Sequence, residues 1–65
     1  MKASNENIKT TLQLANSLLE LAEKGDLERD DVGCGVLYGI VRDAAYKIRK
    51  VAEMEKAMHI KMKKW

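Results

Sequence analysis

Apolar and polar positions alternate with helical period in two long stretches of this chain. In the first, Ile8, Leu12, Ala15, Leu19 and Ala22 recur in four- and three-residue steps, the seam of a packed helix. Leu14, Leu18 and Leu21 form a second row beside it, which widens the apolar arc to roughly half the circumference at about 100° per residue. The pattern predicts a helix over residues 4–24. Ser4 or Asn5 can cap its start, Glu6 complements the N-terminal dipole, and Lys24-Gly25 reads as its stop.

The second stretch is longer. Cys34, Leu37, Val41, Ala44, Ile48, Val51, Glu55, Met58, Met62 and Trp65 keep the same stepping, and Ile40, Ala45 and Ala52 broaden the stripe. It predicts a helix over residues 32–64, reached through an acidic connector at 25–31. Asp26, Glu28 and Asp30 have the alternate spacing of a calcium loop. Asp31, however, stands where such a loop needs Gly, and Leu37 where it needs a bidentate Glu. Capping of the second helix by Asp30 or Asp31 is the favoured reading.

A short connector makes the helices antiparallel neighbours. The expected fold is all-α, a two-helix hairpin forming one domain, whose second helix overshoots the first by about ten residues at about 1.5 Å each. One partner helix covers only a narrow stripe, so the broad arc of the first helix calls for a second copy. Two hairpins are expected to close into a four-helix bundle through Ile8, Leu12, Leu14, Leu18, Leu19, Leu37, Val41, Ile48 and Val51. In length, helix count and seam the arrangement is similar to the Rop family, helical hairpins that dimerise and bind RNA. No motif accompanies the likeness, so no residue role is carried over.

Composition narrows the chemistry. At 65 residues a monomer is only marginally stable, and a single Cys and a single His leave neither an internal disulfide nor a Cys/His zinc site as a staple. Cys34 and His59 lie roughly 37 Å apart along one helix, too far to act as a pair within a chain. Cys34 reads as a small buried thiol and His59 as a partly exposed residue at a loose end. Gly33, Gly35 and Gly39 read as frayed capping or as close packing against the end of the first helix. The alternative for them, an anion at the helix N-terminus, is opposed by Asp30 and Asp31. Phosphate-loop, nucleophile-elbow and metalloprotease signatures are missing, so the expectation is a non-enzyme without cofactor. With no long apolar run and no apolar leader, a cytoplasmic location without membrane insertion is expected.

Charge gives the remaining clue. Residues 1–46 carry five Lys/Arg and eight Asp/Glu, a net of −3, whereas residues 47–65 carry seven and two, a net of +5. Tyr38, Arg42, Tyr46, Arg49 and Lys56 are spaced as a stripe roughly 140° from the seam, on the expected solvent face. Two functions follow from this sequence. The first is an oligomeric adaptor that binds itself and a further helical protein, the latter through Met58, Met62 and Trp65. The alternative is a nucleic-acid-binding regulator using Tyr38, Arg42, Tyr46, Arg49 and Lys50.

Overall fold

A computed structural model describes residues 2–28 and 30–65; Met1, and Arg29 of the predicted connector, lie outside the described residues. Two helices, α1 (Lys2–Glu28) and α2 (Val32–Lys61), run antiparallel and pack along their whole length. The hairpin is a ribbon, with Cα extents of 48 × 14 × 12 Å. Its radius of gyration is 14.7 Å, against ~11 Å for a compact chain of this length.

Asp31 starts α2 as the capping reading expects. It is extended at φ −150° and ψ 175°, and its Oδ1 accepts the Cys34 amide at 2.8 Å. That bond holds the Asp31 carboxyl below its ordinary pKa of 3.8. The end of α1 differs from expectation. Gly25 is helical rather than a stop, no glycine has positive φ, and α1 runs on to Glu28. The Tyr38 ring lies so close over Gly25 that a Cβ there would run into it. Leaving α1 at Gly25 would remove the surface on which Tyr38 rests. Asp26, one of the residues weighed for a calcium loop, is thereby part of α1 and pairs with Arg42.

The start of α1 moves too. It begins at Lys2, so Ser4 and Asn5 are helical and cap nothing. With 27 and 30 residues the helices are nearly matched, and the predicted overhang does not exist. α2 instead closes with a Schellman turn: Lys63 adopts φ 58°, its amide donates to the Ile60 carbonyl at 3.0 Å, and the Lys64 amide donates to His59 at 2.7 Å.

The core between the helices is small. Ala15, Ala22 and Ala45 are fully buried and Ala52 nearly so, while among the described residues no large side chain is fully buried. Each pair is spaced by seven residues, one alanine every two turns on each facing row. Small side chains let the helix axes approach closely. The row of α2 that meets α1 is therefore Tyr38, Ala45, Ala52 and His59, flanked by Val41, Arg42, Arg49 and Lys56. The Tyr/Arg stripe therefore flanks the helix contact instead of standing on the solvent face, and Leu37, Val41, Ile48 and Val51, expected at the subunit interface, lie to one side of the alanine row. Arg42, Arg49 and Lys56 are half-buried beside the alanine seam.

Candidate interaction face

On α1, Leu14, Leu18 and Leu21 lie roughly 60–120° to one side of the alanine row at about 100° per residue. On α2, Leu37, Val41, Ala44, Ile48 and Val51 lie roughly 40–120° to one side of Ala45. Because the helices are antiparallel, these are the same side of the ribbon. A groove of about 420 Å³ between them is lined from both helices, by Ile8 and Thr11 of α1 and by Lys47, Ile48, Val51, Ala52 and Glu55 of α2. Most large side chains on this side are open to solvent, Leu14 60% exposed, Leu37 52% and Val51 53%, while Leu18 and Val41 are half-buried. Met58 and Met62, each 51% exposed, continue the row toward the open end of the hairpin.

Of the residues predicted for a subunit interface, Leu14, Leu18, Leu37, Val41, Ile48 and Val51 belong to this face. Leu12 and Leu19, both half-buried, lie on the opposite flank of the alanine seam. Ile8 faces α2 directly and floors the groove. Leu21, 48% exposed, joins the face although the sequence reading left it out of the interface.

The opposite side is mixed: half-buried Leu12 and Leu19 and exposed Leu27 and Ile60 share it with the polar contacts between the helices. Arg42 donates to Asp26 across the helices, which raises the guanidinium pKa further, and Arg49 lies over the Tyr46 ring at 5.2 Å. Tyr38 rests on Gly25, and Lys50 stands exposed. Four of the five residues read as a nucleic-acid stripe are thus engaged within the hairpin. They share one side of it, but as packing and ion-pair groups.

The open end is sealed by polar contacts that the sequence does not announce. Asn5, 6% exposed, donates through Nδ2 to the Lys64 carbonyl at 2.5 Å, and its Oδ1 faces Nδ1 of His59 at 2.6 Å. His59 also approaches Glu55, with Nε2 to Oε2 at 3.8 Å. Its side chain is only 13% exposed, so it does not sit at a loose end as expected. Trp65 folds back beneath two ammonium groups, Lys9 at 5.4 Å and Lys56 at 5.2 Å from its ring centroid. It is 40% exposed, and much of its surface serves its own chain.

No family model, curated protein or solved structure matches the chain. What the face can do therefore rests on its own chemistry. Among the described residues no group of three or more His, Cys, Asp or Glu could hold a metal ion, and no helix is long and apolar enough to cross a membrane. Cys34 is a free, half-buried thiol at the connector end, and His59 lies at the other end. A Cβ on Gly39 would meet nothing within 4 Å, so close packing against α1 does not account for that glycine.

Proposed function

We propose that this chain is a non-catalytic interaction protein that works as a homo-oligomer, two hairpins closing their apolar faces into a four-helix bundle. The observation that carries the reading is the burial pattern: a core of alanines beside exposed Leu14 and Leu21 of α1 and exposed Leu37, Ile48, Val51, Met58 and Met62 of α2 on the same side of the hairpin. The chain exposes 5074 Å², whereas a compact monomer of this mass exposes ~4,200 Å². The surplus of roughly 900 Å² is close to the ~800 Å² that each partner of a stable complex buries. Once two such faces meet, the opposite sides turn outward. Their ion pairs, the exposed Lys50 and the ring-capped open ends then form the surface on which an adaptor engages other proteins, including helical ones.

Nucleic-acid binding through Tyr38, Arg42, Tyr46, Arg49 and Lys50 draws less support, because Arg42 is neutralised by Asp26 and Arg49 is occupied by Tyr46. Sedimentation at micromolar concentration tests the proposal. The expected mass is that of two chains or more, Ile48→Glu shifts it toward one chain, and Lys50→Glu on the opposite side leaves it unchanged. A well-folded monomer at that concentration overturns it.

A further inference from the structure

We propose that the copy docked on the apolar face lies with its connector over the open end of the first, so that the two connectors stand at opposite ends of the bundle. This rests on the interaction-face reading above and adds the occupant's orientation. Two two-fold arrangements bury the same face. With the axis along the ribbon, both connectors lie at one end; with the axis across it, they lie at opposite ends. Apolar burial does not separate them.

Charge does. The connector half, residues 16–46, carries three Lys/Arg and seven Asp/Glu, a net of −4. The open half, residues 1–15 with 47–65, carries nine Lys/Arg and three Asp/Glu, a net of +6. Same-end stacking sets −4 on −4 and +6 on +6, whereas opposite-end stacking sets each half on its complement. Side-chain shape is compatible with the crossed axis. An axis between Ile48 and Val51 lays each of these against the other's copy, and brings Val41 and Leu37 of one chain onto Met58 and Met62 of the other. Unbranched methionines adapt to such partners.

The single cysteine makes the orientation measurable on the chain as it exists. Cys34 sits at the connector end, about 15 residues from the axis, so a spin label on it reads roughly 45 Å to its copy in the opposite-end bundle at 1.5 Å per residue. The same-end bundle gives less than about 25 Å for helices packed 8–10 Å apart. A Cys34→Ser, Lys61→Cys variant checks the other end and is expected at roughly 35 Å. One long distance from each label supports the proposal. A short distance, or a mixture of short and long, overturns it while leaving the interaction-face reading intact. Single-chain mass in sedimentation overturns both. Added salt supplies a label-free readout: opposite-end pairing weakens as salt rises, and a dimer strengthened by salt sinks the proposal.

Discussion

One methyl group at Gly25 touches the packing of both helices. Alanine favours a helix interior over glycine by about 1 kcal/mol, yet a Cβ here collides with the Tyr38 ring. Gly25→Ala is therefore expected to destabilise the wild-type chain by about 1–3 kcal/mol. In a Tyr38→Ala background the sign should reverse, leaving a gain of up to about 1 kcal/mol. A double-mutant cycle by chemical denaturation checks both arms. Lys63 is the converse case. Its φ of 58° is a left-handed conformation that suits glycine, so Lys63→Gly should stabilise the chain by about 1 kcal/mol. Asp31 gives a pH signature. Because its folded-state pKa lies below the unfolded one, its contribution is complete above the ordinary value of 3.8 and fades as pH falls through the lowered one. Asp31→Asn keeps an acceptor for the Cys34 amide and should flatten that acid limb of a thermal-melt series, whereas Asp31→Ala should lower the melting temperature at neutral pH.

At the scale of the helices, the seam of α1 and the cap of α2 are both legible in the sequence. Ala15 and Ala22 fall on the expected row, and Asp31 stands where a cap is wanted. The matching row of α2 is not legible from residue size. Leu37, Val41, Ile48 and Val51 outrank Ala45 and Ala52 in hydrophobicity, so the periodicity points to them, while close helix contact selects the small side chains instead. The signal that could have found it is the shared seven-residue spacing of Ala15–Ala22 and Ala45–Ala52. Residues around Gly25 mislead for a related reason. Glycine after lysine is a good local stop signal, and only Tyr38, thirteen positions on, overrides it. The seam makes its own prediction. Ala22→Leu, at a fully buried site facing α2, should force the helices apart and cost about 1–3 kcal/mol in urea unfolding, more than the same change at exposed Ala57.

As a whole the molecule is elongated, with an apolar face along one side and a charge gradient along its length. An alanine seam buries little surface, so most of the folding free energy is expected to come from association. Thermal stability should then depend on protein concentration: a tenfold increase raises the melting temperature by about 5 °C for a two-chain unit. A melting temperature independent of concentration over a hundredfold range would contradict this.

The alanine rows also separate two kinds of instruction in one short chain. The side chains that hold α1 to α2 are different from those that would meet another copy. Substitutions along Leu14, Leu21, Leu37, Ile48 and Val51 can thus rewrite which chains recognise one another while each hairpin keeps its shape. Duplicated copies of such a chain could diverge into mutually exclusive pairs by exchanging a few aliphatic residues, with no need to reinvent the hairpin that displays them.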